Sequence, residues 1–229
     1  MKKVCIRGFW ITKNDIWKEK MAKRPAWTIK NGTVVCDEFG FDWNGGFALS
    51  QKQKNINNLH QEINERTGES VLEISSKSPE ETGRLLSAFS LKVSGYYLEN
   101  VFQAAKKYEN GGPYTDILNA APKDAKRDER HRTSGKLICF VNEEIEWPIE
   151  PKTVFYDYLY VSAVLGSFGM DLDLTQYSWF TDIEFNPKRS INCQARAITI
   201  YKLIQKNNMF DIVRSKNMWI SFHQKNVKG

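Results

Sequence analysis

The stretch PKTVFYDYLYVSAVLGS, residues 151–167, is largely apolar around the helix that its composition favours. A helix that is hydrophobic on all sides cannot lie on a wet surface, so other elements must enclose it. A second helical run, SINCQARAITIYKLIQ (190–205), turns Ile191, Ala195, Ile198 and the stretch from Ile200 to Leu203 inward. The first 48 residues differ in character. There, GTVVC and FDWNGGFALS are short β-type runs punctuated by Asn-Gly and Gly-Gly turns. The expected fold is α+β and predominantly helical, in a single domain. Residues 1–75 form a strand-and-helix elaboration packed on a main domain of residues 76–229.

Between these parts the punctuation predicts further elements. A helix is expected from Ser50 to Arg66, with Ser50 as N-cap and Gly68 just past its end. Its apolar content is thin (Ile56, Leu59, Ile63), which places it on the surface with Lys52, Gln53 and Lys54 available to a partner. VLEIS (71–75) reads as a strand. SPEETGRLLSAF (78–89) starts like a helix, with Ser78 at the cap, Pro79 at the first position and Glu81 at the third. LKVSGYYLE (91–99) reads as a hairpin around Ser94-Gly95, residues 111–136 as loops with short helices, and 136–151 as extended chain.

With 41% hydrophobic and 13% aromatic residues in 229, the chain can bury a sizeable core. A net charge of +6 permits a polyanionic partner, but no recognised DNA-binding motif is present. The basic clusters KEKMAKR (18–24) and KDAKRDERHR (123–132) are local, and the second mixes acid with base, as a solvated loop does. Cys5, Cys36, Cys139 and Cys193 are scattered without a CxxC pair, and His60, His131 and His223 form no metal-ligand spacing. No metal or cofactor is therefore expected, and the thiols fit a reducing compartment. The N-terminal MKKVCIRGFWITKNDIWKEK lacks the apolar core of a secretion signal. No apolar run approaches the roughly 20 residues of a membrane span, so a cytoplasmic protein without a membrane partner is expected.

Two stretches carry chemistry. In YYLENVFQAAKKYENGGPY (96–114), read as a helix, Glu99, Gln103, Lys106 and Asn110 fall within an arc of about 60°. Leu98 and Phe102 border that arc, so the stripe lies beside the apolar face. Such a stripe is either an ordinary amphipathic boundary or a pocket wall in which a half-buried carboxylate and amine shift each other's pKa. In FTDIEFNPKRSINCQARA (180–197), Asp182 and Glu184 share one side of an extended segment, and Asn192 and Arg196 share a face of the helix that follows. A helix start beside Asn and Arg suits a phosphate, although Ser190 is also a plain cap.

LSAF followed by LENVFQAAKKYE resembles the NADAR family, with its FSNF-like element and SEHxxQAxKF-like helix. MAKRPAW, GFALSQKQKNINNLH, VFQAAKKYENGGPYTDIL, EWPIEPKTVFYDYLY and FTDIEFNPKRSINCQARA are similar to one branch of it, the antitoxins paired with DarT-type DNA ADP-ribosyltransferase toxins. Glu99, Gln103 and Lys106 match the family's helix residues, Ser87 and Phe89 its FSNF-like element, and Asn192 the Asn before its last helix. Asn100 stands where the family usually has His, and the family's closing Trp-Gly is absent.

The resemblance implies an N-glycosidase antitoxin that removes ADP-ribose from guanine in DNA. Its partners are the modified DNA, the product ADP-ribose and a DarT-type toxin. Glu99 is then the expected acid/base or stabiliser of the oxocarbenium-like state. Lys106 is either an electrostatic partner or a nucleophile acting through an imine. Asp182 joins them as a catalytic candidate; it and Glu184 suit ribose hydroxyls, and Asn192 and Arg196 suit the diphosphate. Phe89, Trp147, Tyr156 and Phe180 could stack on a base. Two other readings stay open. One is an antitoxin that masks its toxin through the polar helix; the other is a glycosidase of small ribosylated nucleotides.

Overall fold

The computed structural model describes residues 3–6, 9–12 and 21–228. Much of the N-terminal run of 20 residues and the start of the 18–24 basic cluster lie outside the described residues.

Strands β1 (Lys3–Ile6) and β2 (Phe9–Thr12) pair antiparallel. Then β3 (Met21–Lys30) and β4 (Thr33–Asp42) form a long ribbon, in register from Met21 opposite Asp42 to Lys30 opposite Thr33. Its turn is Asn31-Gly32, with φ of 51° and 71°, as a two-residue type I′ hairpin demands. Helix α1 (Leu49–Thr67) lays Ile56, Leu59 and Ile63 against Phe39 and Phe41 of the ribbon. Gly68 closes it in the left-handed conformation, as the sequence predicts. The cap position is Ala48, without a side-chain bond, and Ser50 lies inside the helix.

The polar face of α1 bonds to its own chain. Asn55 accepts from Asn44 N at 2.6 Å and donates to Asn44 O at 2.9 Å, and Asn58 donates to Asp42 O at 2.8 Å. Lys52, expected to be available to a partner, pairs with Glu184 at 3.0 Å and lies over the Trp43 ring. One-dimensional polarity cannot reveal this, because Glu184 is far along the chain.

Next come β5 (Val71–Glu73) and the short α2 (Glu81–Leu85). Ser78 is not the cap of α2: its Oγ accepts from Glu80 N at 3.2 Å, in a turn that delays the helix. A hairpin of β6 (Lys92–Val93) and β7 (Tyr96–Tyr97) turns at Ser94-Gly95, as expected. Helix α3 (Leu98–Ala104) then gives way to β8 (Lys106–Tyr108). The expected helix therefore stops short of Lys106 and Asn110. Lys106 and Lys107 pair with Phe140 and Cys139, and the chain folds back through Gly111-Gly112, where Tyr108 N bonds Gly111 O at 2.7 Å.

A 3-10 turn (Thr115–Asn119), α4 (Pro122–Arg127) and α5 (Arg130–Thr133) lead to β9 (Leu137–Asn142) and β10 (Ile145–Trp147), which complete an antiparallel sheet in the order β10-β9-β8. Helix α6 (Val154–Phe168) follows, then β11 (Trp179–Thr181), α7 (Gln194–Lys206), a 3-10 turn (Phe210–Arg214) and α8 (Lys216–Asn226). Strand β11 inserts between β3, antiparallel, and β5, parallel, giving a second sheet in the order β4-β3-β11-β5. As their composition requires, α6 and α7 are buried: Leu159, Val161, Val164, Ile198, Ile200 and Leu203 share one core with Trp219 of α8. The architecture is α+β.

Gly83 shows how tightly α2 sits. A Cβ there would collide with the Glu73 carbonyl oxygen and with the Ser78 side chain. The carbonyl belongs to a sheet strand and cannot yield. Overpacking typically costs about 1–3 kcal/mol, and Gly83→Ala should fall at the upper end. Urea unfolding would show it as a lowered midpoint; an unchanged midpoint would refute the close approach.

Candidate active site

A cleft of about 770 Å³ opens between α3 and the connection from β11 to α7. Seven predicted residues line it: Phe89, Glu99, Gln103, Lys106, Asp182, Glu184 and Asn192. Tyr156, proposed as a stacking residue, lines it too. The stripe read on a helix thus survives in part, although the helix ends before Lys106.

One chain of polar groups runs through the α3 wall. Gln103 Nε2 donates to Glu99 Oε1 at 2.8 Å, and Lys106 Nζ donates to Gln103 Oε1 at 2.5 Å. Because both ends of the Gln103 amide are engaged, the carboxylate and the amine are held on either side of it. Glu99 is only 5% exposed. Its Oε1 also receives Lys126 Nζ at 3.7 Å, whereas among the described residues Oε2 has no partner. Burial pulls the Lys106 ammonium down to about 8, against the pull of Glu99 and with the help of Lys126. Phe102 contributes the apolar surroundings, with Lys106 Nζ 5.2 Å from its ring centre.

The other wall is fixed by Asp182. Its Oδ1 accepts from the backbone N–H of Glu184 and Phe185 at 3.1 and 3.2 Å, and its Oδ2 accepts from Gln194 Nε2 at 3.0 Å. Gln194 Oε1 in turn accepts from Ala88 N at 2.6 Å, clamping the turn that carries Phe89. Burial raises the carboxyl of Asp182, and also that of Glu73 beneath it. Glu73 accepts from Thr181 Oγ1 at 2.7 Å and from Ile183 N at 2.8 Å, so it holds the strand ends on either side of Asp182.

Four predicted residues do not line the cleft. Trp147 packs at a tilt against Tyr158 and Phe155 in the core. Phe180 is buried within β11. Ser87 is buried, and its Oγ accepts from Phe89 N at 3.4 Å, shaping the turn from below. Arg196 was expected on the diphosphate. It is instead buried and committed to Asp157, with Nε and NH2 at 3.1 and 3.2 Å from the two carboxylate oxygens. Asp157 also accepts from His223 Nε2 at 2.9 Å and Thr153 Oγ1 at 2.9 Å. Burial alone would raise Asp157; Arg196 and then His223 outweigh it and hold the carboxyl below its usual range. The remaining Arg196 donor, NH1, reaches Ile191 O at 3.2 Å and so ties down the loop beside Asn192.

Lys126 and His131, which the charge pattern places in a solvated loop, both line the cleft. His131 Nε2 donates to Ala125 O at 3.0 Å, leaving Nδ1 to accept from Tyr108 at 3.1 Å. Burial, followed by Lys106, lowers its pKa and favours this neutral form. Nothing in the spacing of KDAKRDERHR separates these two from their solvated neighbours.

Asp157→Asn should cost about 3–5 kcal/mol, because it leaves Arg196 as an uncompensated buried charge. Replacing Asp157 and Arg196 together by Leu and Met should do less damage than the single change. Chemical denaturation of the three proteins tests this; equal or greater loss in the double variant would contradict it.

The chain finds no match among curated proteins. The family described as DarT1-associated NADAR antitoxin matches residues 22–228, which span both walls of the cleft. The protein belongs to the NADAR antitoxins associated with DarT1.

Proposed function

We propose that this antitoxin is an N-glycosidase that releases ADP-ribose from the amino group of guanine in DNA. The observation that carries this reading is the state of Glu99: a nearly buried carboxylate with Oε1 engaged and Oε2 bare, one amide away from an amine lowered to about 8. A group of that kind is suited to moving a proton, and an amine of that kind to acting as a nucleophile.

The chemistry follows from these two groups. The unprotonated Lys106 Nζ adds to the anomeric carbon. Glu99 Oε2 takes a proton from that nitrogen and delivers it to the guanine amine as the glycosidic C–N bond breaks. The ribose ring opens to leave an imine on Lys106, and water hydrolyses the imine to free ADP-ribose. Asp182 acts as a positioning residue in this reading, since its oxygens are already taken by backbone donors and Gln194. Asn192, whose side-chain amide has no partner among the described residues, is left to meet substrate hydroxyls or phosphate, and Glu184, held by Lys52, to accept from ribose hydroxyls.

Masking of the toxin by the polar helix is less well supported. Lys52, Asn55, Asn58 and His60 on that helix already bond within the protein.

Glu99→Gln keeps size and packing but cannot shuttle a proton. It should fold normally and lose about 10²–10⁴-fold in release of ADP-ribose from modified DNA. If the variant is inactive yet still protects cells from the toxin, masking is the mechanism; if it keeps full activity, Glu99 is structural.

Activity should rise with pH through a group near 8, because attack needs the deprotonated amine. Lys106→Arg should abolish it. Borohydride added during turnover should leave ADP-ribose attached at Lys106, detectable by mass spectrometry. A flat profile across neutral pH with no trapped adduct would assign Lys106 an electrostatic role.

A further inference from the structure

The mouth of the cleft carries charge that the chemistry above does not use. Lys152, Lys188 and Arg189 all line it, all are exposed, and among the described residues none pairs with a carboxylate. The acids nearby are largely neutralised: Glu184 by Lys52 at 3.0 Å and Glu99 by Lys126 at 3.7 Å, leaving Glu150 as the uncompensated carboxylate of the rim. Unpaired cations converging on an opening raise the local concentration of a polyanion.

Two of these cations sit on a built turn. Asn186 Oδ1 accepts from Lys188 N at 3.0 Å, and Asn186 O accepts from Arg189 N and Ser190 N at 2.9 and 3.0 Å. The far end of the turn is held where Arg196 NH1 binds Ile191 O. The tip therefore presents Lys188 and Arg189 outward from a fixed base. Lys152 stands at the start of α6, close to Thr153, which Asp157 secures. Beside these cations two apolar side chains are left in solvent: Ile149 at 43% and Ile191 at 58% exposure. Phe89, 38% exposed on the same lining, adds an aromatic face; cations beside an exposed aromatic match a single strand, whose phosphates need charge and whose bases stack.

Resting on the glycosidase reading, we infer that Lys152, Lys188 and Arg189 form a separate binding site for the single-stranded polynucleotide that flanks the modified base. Glu99 is recessed, so the base must leave the stack to reach it. The strand on either side then has to cross the rim, and this site holds it there. ADP-ribose itself is held deeper, by groups on the cleft walls.

The test uses a fluorescent oligothymidylate and two substrates, ADP-ribosylated guanosine and an ADP-ribosylated single-stranded oligonucleotide. A triple variant, Lys152→Ala, Lys188→Ala and Arg189→Ala, is compared with Lys54→Ala, Lys206→Ala and Lys225→Ala, which removes the same charge from exposed positions elsewhere. Losing three phosphate contacts should flatten the slope of log affinity against log salt by about 2 for oligothymidylate, with no such change in the control. KM for the modified oligonucleotide should rise while hydrolysis of the modified nucleoside is unchanged. Equal effects of the two variants, or absence of oligothymidylate binding by the native protein, would overturn the site. A matching loss on the nucleoside would also overturn it, by assigning the cations to ADP-ribose. Because the binding arm needs no turnover, it still decides the matter if the protein hydrolyses neither substrate.

Discussion

The backbone pairing of three residues, Trp179 to Thr181, is the constraint on which the molecule turns. This strand runs parallel to Val71–Glu73 and antiparallel to Ala26 and Trp27. A parallel neighbour cannot be reached through a tight turn, so the chain must make a long excursion between β5 and β11. That excursion contains α3, the β10-β9-β8 sheet and α6. When it returns, Thr181 and Ile183 both donate to the buried Glu73, and Asp182 between them is directed at the cleft. One wall of the site is therefore a by-product of closing the sheet, and the other hangs from the excursion.

Two charged clusters lie within the same fold and behave differently. The cluster around Asp157 is closed: Arg196, His223 and Thr153 satisfy its oxygens, and Trp219 Nε1 donates to Val154 O at 2.9 Å beside it. It joins α6, α7 and α8 and sends a single bond, to Ile191, toward the site. The cluster around Glu99 is open: among the described residues, one of its carboxylate oxygens and the side-chain amide of Asn192 on the cleft lining have no partner. A buried charge that is fully hydrogen-bonded is fixed in position. The two clusters differ in partner count and not in burial, since both carboxylates are nearly inaccessible.

Asn100 ties two elements together. Its Nδ2 donates to the carbonyls of Ile117, Leu118 and Ala120 at 3.1, 3.0 and 2.7 Å. It pins the 3-10 turn against α3 and thereby seats the segment that supplies Lys126 and His131. Among the described residues its Oδ1 has no partner, a desolvation cost accepted where three backbone acceptors converge.

The sequence by itself determined the elements whose chemistry is local. The largely apolar run at 151–167 had to become a buried helix, Asn31-Gly32 and Ser94-Gly95 had to turn, and Gly68 had to end α1, because each follows from side-chain periodicity or from φ alone. It also brought Glu99 and Gln103 onto one face, since helical spacing fixes that angle. Tertiary structure decided the rest. Lys106 left the helix because strand pairing with Phe140 competed successfully for its backbone. Arg196 turned to Asp157, and Lys52 to Glu184, because a charge is governed by its neighbours in space, and those neighbours lie dozens of residues away. Lys126 and His131 joined the site for the same reason. No local pattern distinguishes a solvated cation from one that the packing of α4 against α3 brings to a carboxylate.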